Sequence, residues 1–564
     1  LSQLYPIVIC YLYTLGAMES PADLKPPNYD FKQLLALNLG DAAPVEDFIG
    51  PLIVANVPGK GRGVLVQRDV HRGELLFACK ALAIAEVHRL AEATCERLRN
   101  CDTEDFEAFF LLCDGQHTPS DLPQLRTGNQ GRVLGASSSA PRREVKMKEV
   151  QAILSANAHQ LDTSELCGKK SGKTLSGIFL LASLVNHSCR PNAARIFLGD
   201  MMFVRAARDI KQGEEVTDGY ISVLQPASER RRDIREHYGF ELTGDRILLE
   251  DYLFSEDMVQ KILDRIDDSE TVEDFNLILD DAHVLVASKL REMYEGDGKG
   301  KTVTEAVLAA ERVGCGLERV LLGGLVLAVQ VAVATIFADL DRHHEAAAAY
   351  SRCCWFMEEL APHNAYHAKW ATEALLSASR ARLPLSSYAG YARKVLEGHC
   401  GPGVLEMALG KSSSILKGLD TCFETCPPGE VEVTCPLPKD GEVIIQLDLP
   451  GPLSAQDLEL SASPGLLDLS LPMQPGCPGL LPGCHGLLLV LPRAVAPHSA
   501  KARLSCGGRR LRVSFVAARV RGQPIKKKVG RENGPSQMER RADFNGPFKD
   551  FKDPWRDSGW PEAK

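Results

Sequence analysis

The chain has 564 residues, 45% hydrophobic and 25% charged, which is too long for one core and too apolar for wholesale disorder. A net charge of −9, from 65 basic and 74 acidic residues, leaves no global basic field for nucleic acid; only local patches stay open. Seventeen cysteines, odd in number and never spaced C-x-x-C, argue against a zinc ribbon or a thioredoxin-like centre. They fit reduced thiols in the cytosol or nucleus.

The stretch LYPIVICYLYTLGAM is apolar but too short to span a bilayer comfortably, and it lacks a basic n-region. The chain opens on Leu1, and Met18 begins a polar stretch, so residues 1–17 read as an extension, with a signal peptide as the alternative. From Gly50 to Glu86, short apolar runs alternate with Gly59, Gly61, Gly63 and Gly73, a pattern of strands and turns. Residues 87–113 carry helical spacing, and 114–146, with GASSSAPRR, read as a loose surface insertion. Two further segments, KEVQAILSANAHQL and SGIFLLASLVNHSC, are predicted as helical, and strands broken at Gly199–Asp200 and Gln212–Gly213 follow. From about 246 to 420 the pattern is helical and alanine-rich, punctuated at Pro362 and Asn364 in the manner of a helix–turn–helix repeat. Residues 428–520 show alternating or continuous apolar strands bounded by Pro and Gly, a β-sandwich signature. The tail from 521 is polar; Lys526, Lys527 and Lys528 read as a solvated linker, with a nuclear-localisation patch as the sharper alternative.

Four separated pieces carry candidate chemistry. Lys60-Gly61-Arg62-Gly63 sits in a turn, where glycines allow close backbone approach, although a hairpin alone also explains it. Asn157 lies late in a helical segment. Asn186-His187-Ser188-Cys189 sits between an apolar run and Pro191-Asn192, and GYISVLQPASERRRDIREHYGF holds Tyr220, Tyr238 and Phe240. In this order, with G-E-E-V before Tyr220 and N-H-S-C-x-P-N as the most specific signature, the chain resembles SET-domain protein methyltransferases over roughly residues 50–245. The layout is closest to the SMYD branch and its fungal SET/TPR relatives.

The resemblance implies S-adenosylmethionine as cofactor. Lys60, Gly61, Arg62 and Gly63 would bind it largely through backbone groups. Asn157 and Asn186 would hold its polar ends, His187 would add main-chain contacts, and Phe240 would stack on adenine. It also implies a pseudoknot near N-H-S-C. Tyr220 and Tyr238 match the family's active-site tyrosines, which orient a lysine amine; a plain core aromatic is the blander reading of each. The amine must be neutral although its ordinary pKa is about 10.4. An apolar channel beside a sulfonium lowers that value, through desolvation and like charge. Placement then supplies much of the rate, and no strong general base is required.

Two departures matter. SMYD-type proteins follow the second tyrosine with F-x-C-x-C-x-x-C, whose thiolates bind zinc together with the cysteine of N-H-S-C; here Phe240 is followed by Glu241-Leu242-Thr243-Gly244-Asp245. One thiol, Cys189, does not make a tetrahedral site, and Cys95, Cys101 and Cys113 lack the ligand spacing of a MYND finger, so no zinc and no metal ligands are expected. The second departure is the C-terminal stretch, which is similar to CS-like domains of the p23 and PIH1 families through Leu449-Pro450, Leu491-Pro492 and the A-K-A-R strand entry. That similarity implies Hsp90 or other chaperone machinery as a partner.

The expected architecture is α+β multidomain. Residues 1–49 form an N-terminal extension, and 50–245 a SET β-fold with pseudoknot and a helical insertion at about 87–175. Residues 246–425 form a TPR-like helical region, 428–520 an all-β CS-like sandwich, and 521–564 a disordered polar tail. The expected function is S-adenosylmethionine-dependent protein-lysine N-methylation, on a histone or another protein, in cytoplasm, nucleus or both. Sequence-specific nucleic acid and membrane are not expected partners. The alternative is a catalytically silent SET-fold chaperone adaptor. No hydrolase, P-loop or dinucleotide fingerprint is present.

Overall fold

The glycine-punctuated stretch after Gly50 folds, in the computed structural model, into a run of antiparallel strands. The structure describes residues 29, 45–115, 119–135, 142–161, 175–269, 271–295, 301–405, 432–434, 442–448, 459–462, 466–470, 486–491, 499–506 and 510–516. Residues 1–17 and the polar tail from 521 lie outside them. The chain divides into two compact units. One comprises Leu1–Asn186, Asn192–Asp218 and Gly398–Gly403; the other His187–Pro191, Gly219–Glu397 and Val404–Lys564.

In the first unit, β2 (Leu52–Val57) and β3 (Gly61–Val66) pair as a hairpin with Val57 opposite Gly61. Gly59 and Gly61 supply the positive φ values of +80° and +78° that turn the connection. These strands join β14 (Glu215–Asp218) and the two-residue β11 (Asn186–His187) in a sheet of order β11-β14-β3-β2. A second sheet runs β12-β13-β4-β1-β7, from Ala193–Leu198, Met201–Ala206, Leu75–Lys80, Phe48–Ile49 and Gly128–Asn129. All six residues of β13 are buried, Arg205 among them, and all of β4 but Lys80, which is why neither shows the alternation of a half-exposed strand. Leu52, Val64, Phe77, Phe109, Ile153 and Phe179 share one core. Two helices, α1 (Leu90–Asn100) and α2 (Thr103–Phe110), cover residues expected to be helical, and Asp102 caps α2 by accepting from the Asp105 amide.

Two local expectations are corrected. The segment SGIFLLASLVNHSC is not a helix. It forms β10 (Leu175–Ile178), a single 3-10 turn at Ala182–Leu184, and β11. β10 lies between β5 (Ala83–Glu86) and β9 (Ala158–Leu161), and a Cβ on Gly177 would sit 3.0 Å from Ile84 and 3.2 Å from Leu161. A short apolar run buried on both sides has no period that separates strand from helix. The stretch after 114 likewise holds a hairpin, β6 (Gln124–Arg126) with β8 (Arg132–Leu134), which buries Leu125 and Val133. The serine run 137–139 lies outside the described residues. The other segment, KEVQAILSANAHQL, is helical through α3 (Met147–Asn157), as expected, and continues as β9.

Asp47 couples the stability of this unit to pH. Its carboxylate accepts from the Lys80 amide at 3.0 Å, yet burial pushes its pKa up to about 6, with Asp105 adding to the rise. An unfolded Asp titrates near 3.9, so the folded state binds the extra proton and stability falls as pH rises from about 4 to about 6. Asp47→Asn keeps an acceptor for Lys80. It is expected to stabilise the protein at pH 7 by about 1–3 kcal/mol and to change little near pH 4, read by denaturant unfolding at both pH values.

The second unit is helical through α4 (Ala227–Tyr238), α5 (Asp245–Leu253), α6 (Glu256–Asp267), α7 (Val272–Glu295), α8 (Lys301–Val313), α9 (Leu317–Asp339), α10 (His343–Leu360), α11 (Ala365–Arg380) and the start of α12 (Leu385–Cys400). The predicted punctuation at Asn364 is the cap of α11, its side chain accepting from the His367 amide at 2.9 Å. By length and composition α9 could cross a membrane, but Leu317, Val320, Leu321, Val326 and Leu327 are buried, and the helix packs on α7 and α10.

The C-terminal strands form two antiparallel sheets, β15-β16-β21-β20 and β17-β18-β19, from Glu432–Thr434, Glu442–Asp448, Arg510–Val516, Lys501–Ser505, Glu459–Ala462, Leu466–Ser470 and Gly486–Val490. Register sets Val443, Ile445 and Leu447 opposite Phe515, Val513 and Leu511, all buried, which is the period-two alternation the sequence shows.

Candidate functional site

The residues singled out by sequence gather into two clusters, one in each unit. In the first, the Asn186 amide nitrogen donates to the Arg62 carbonyl at 2.7 Å and to Glu215 Oε1 at 2.8 Å. Lys60 Nζ reaches the other oxygen of Glu215 at 2.7 Å. One carboxylate therefore orients both Lys60 and Asn186. Gly63 makes the closeness achievable: a Cβ there would lie 2.7 Å from Glu215 Oε1, 2.8 Å from Val57 and 2.9 Å from the Asn186 amide. Around Gly61 a Cβ would meet nothing within 4 Å, so the turn is open at that point. Arg62 spends its side chain elsewhere, donating to the Asp121 carbonyl at 3.1 Å, and burial lowers its pKa.

Asn192, the last residue of the N-H-S-C-x-P-N signature, completes this half. Its amide donates to the Glu215 carbonyl at 2.7 Å, while its Oδ1 accepts from the Thr217 amide at 2.8 Å, so the side chain imitates a neighbouring strand. Asn157 bonds to other partners than Glu215. It ends α3, is buried, and donates to the Cys113 and Ile153 carbonyls at 2.6 and 2.7 Å.

The second cluster is aromatic. The rings of Tyr220 and Tyr238 have centroids 4.9 Å apart, Tyr220 and His187 5.3 Å, Tyr238 and Phe240 6.4 Å, and His187 and Phe240 6.5 Å, which closes a four-membered ring of rings. Gly239 builds the corner between Tyr238 and Phe240. It ends α4 in the left-handed region at φ 73°, with its amide donating to the Ile234 carbonyl. His187 is buried; its Nδ1 accepts from the Tyr220 amide at 3.0 Å, which places the ring proton on Nε2, 3.5 Å from Cys189 Sγ. The imidazole thus sets the Tyr220 backbone, a side-chain role beyond the main-chain contacts the resemblance implies. Phe240 is 39% exposed, so one ring of the four is open to a ligand. Faces of this kind attract cations.

Sequence reasoning did not single out Glu215, Arg230, Arg246 or Glu250, and it gave Asn192 no role of its own. Glu215 stands inside G-E-E-V and reads as a strand residue; only its partners reveal its role. The structure brings Lys60, Arg62, Gly63 and Asn186 together around Glu215, and His187, Tyr220, Tyr238 and Phe240 together around one another.

Several lysine methyltransferases share part of this sequence. The human histone-lysine N-methyltransferase SMYD3 is 40% identical over 76 residues, 14% of this chain and 18% of that protein. The chicken N-lysine methyltransferase SMYD2 is 25% identical over 255 residues, 32% of this chain and 56% of that protein. Set5, a histone-lysine N-methyltransferase of Schizosaccharomyces pombe, is 39% identical over 132 residues, 22% of this chain and 40% of that protein. The chain thus spans from under a fifth to just over half of these relatives' lengths. A solved SET domain of LSMT bound to lysine and AdoHcy aligns over 56% of this chain and 94% of that one, at 11% identity and a TM-score of 0.23. Residues 61–221 match the family model of the SET domain, and the chain therefore carries a SET domain similar to those of SMYD-type and set5-type lysine methyltransferases.

Proposed function

We propose that this chain is an S-adenosylmethionine-dependent protein-lysine N-methyltransferase with appended protein-interaction regions. The single observation that supports it most is the ring of His187, Tyr220, Tyr238 and Phe240, a set of π faces suited to a cation and to the stem of a lysine. The side chains fit the cofactor: Lys60 carries an ammonium for its carboxylate, and Glu215 together with the amide oxygen of Asn186 gives acceptors for its ammonium. Bound S-adenosylmethionine supplies the methyl group on a sulfonium. The chain's own residues do the rest. Lys60, Gly61, Arg62, Gly63, Asn157 and Asn186 bind and orient the cofactor, and the exposed Phe240 covers its adenine. The two phenols orient the amine lone pair, and the rings exclude water, which favours the neutral amine.

Substrates are proteins, histone or otherwise, met in the cytoplasm, the nucleus or both. In this reading α5 to α12 act as a TPR-like block and the seven C-terminal strands as a CS-like domain, with Hsp90 or similar chaperone machinery as the partner. Those two sheets support the rival reading as well, a silent SET-fold adaptor. Calorimetry with S-adenosylhomocysteine and tritium transfer from labelled cofactor to lysate proteins separate the two. Saturable binding with transfer to lysine is expected, and Asn186→Ala should weaken binding by about tenfold or more through loss of charge-assisted bonds. Binding without transfer to any protein leaves the adaptor.

A further inference from the structure

Cys189 lies beside a buried ionic cluster. Arg246 Nη1 donates to the Cys189 carbonyl at 3.0 Å, Nη2 to the Val223 carbonyl at 3.2 Å, and Nε to Glu250 Oε1 at 2.9 Å. Arg230 pairs with the other oxygen of Glu250 and donates from Nε to the Gln225 carbonyl at 3.0 Å. The side chains of Arg230 and Arg246 are 1% and 2% exposed. Burial opposes the charge on Glu250, but the two guanidiniums hold its carboxyl below the ordinary carboxylate range. Two cations and one anion leave the cluster with one positive charge.

Two glycines, one just before the apolar α9 and one in its first half, make room for such pairs. A Cβ on Gly324 would sit 2.7 Å from Glu250 Oε1 and 3.1 Å from Arg246 Nη2. A Cβ on Gly316 would overlap the carboxylate of Glu359, which takes Arg190 at 2.6 Å and Arg319 at 3.0 Å. Arg190 also donates from Nε to the Glu359 carbonyl at 3.0 Å. The segment His187–Pro191 is thereby held at Cys189 and at Arg190.

A zinc shared by Cys189 and three later cysteines does not fit these residues. The positions after Phe240 hold Glu241, Leu242 and Thr243, and the charge nearest Cys189 comes from guanidiniums, which repel a dication. We propose that the Arg230–Glu250–Arg246 cluster, seated over Gly324, is a metal-free clamp that positions the aromatic ring of the site. Arg246 fixes the carbonyl two residues beyond His187 and the one three residues beyond Tyr220. Arg230 fixes α4, which ends on Tyr238. Glu250 holds both arginines and is a positioning residue for methyl transfer, so its effect on turnover rests on the function proposed above.

The test uses the full chain purified without chelator, with Glu250→Gln and the milder Gly324→Ala, which crowds Glu250, as a second variant should the first fail to fold. Metal analysis should find well under one zinc per chain. Amide exchange in 187–191 and 220–224 should rise by about tenfold or more in the variant, with 52–80 unchanged. With a lysine substrate, kcat should fall by about tenfold or more while S-adenosylhomocysteine affinity stays within about twofold. Stoichiometric zinc that disappears in Cys189→Ser overturns the clamp, and so does unchanged exchange. Faster exchange in a protein that never transfers methyl keeps the clamp and removes the enzymatic reading instead.

Discussion

Replacing Gly63 by alanine should abolish cofactor binding and destabilise the first unit by about 1–3 kcal/mol, the usual cost of forcing an extra carbon into a filled site. The added carbon would fall within 3 Å of three groups at once, and two of them cannot move independently. Glu215 is held by Lys60 and Asn186, and Asn186 is held by the Arg62 carbonyl as well. Displacing either one releases the other. Calorimetric titration with S-adenosylhomocysteine beside a denaturation curve checks both effects. Gly61→Ala is the contrast. Its Cβ meets nothing, so its cost comes from the backbone at φ +78°, and binding should weaken less than in Gly63→Ala. Equal losses in the two variants would show that Gly63 matters only as a turn residue.

Tyr220→Phe carries the second large effect, a fall in kcat of about a hundredfold with cofactor affinity retained. The variant keeps the ring 4.9 Å from Tyr238 and 5.3 Å from His187, so the aromatic cluster keeps its packing and only the hydroxyl is lost. The Tyr220 amide still donates to His187, because that bond belongs to the backbone. Single-turnover methyl transfer, measured with saturating labelled cofactor, isolates the chemical step from binding. A rate within threefold of wild type would remove Tyr220 from the chemistry and leave it a wall residue.

Much of the site was legible because its members are rare residue types in a fixed order. Asn186-His187, Tyr220, Tyr238 and Phe240 announce themselves as strings, and the structure places the aromatic ones in contact. What stayed hidden is what depends on partners far apart in sequence. Arg230 sits in ERRRDIREH, which reads as a solvated helix face, yet its side chain is 1% exposed because Glu250, twenty residues on, neutralises it. No periodicity distinguishes that arginine from Arg231 or Arg232 beside it. Glu215 was hidden in the same way, since nothing local says that a strand carboxylate will meet Lys60, 155 residues earlier in the chain. The misread segment at 176–189 failed for a different reason, because burial on both faces erases alternation. In the helical block, by contrast, the Asn364 cap and the boundary it marks are local chemistry, and the sequence shows them plainly.

The apolar helix α9 has a consequence for synthesis. Its buried side chains are covered by α7, which precedes it, and more extensively by α10, which follows it in the chain. During translation there is an interval in which α9 has left the ribosome and α10 has not. Over that interval the nascent chain displays a greasy rod as long as a membrane anchor, and self-association competes with folding. Released polypeptides truncated between residues 340 and 360 should precipitate or be held by chaperones, whereas those that extend past α11 should not.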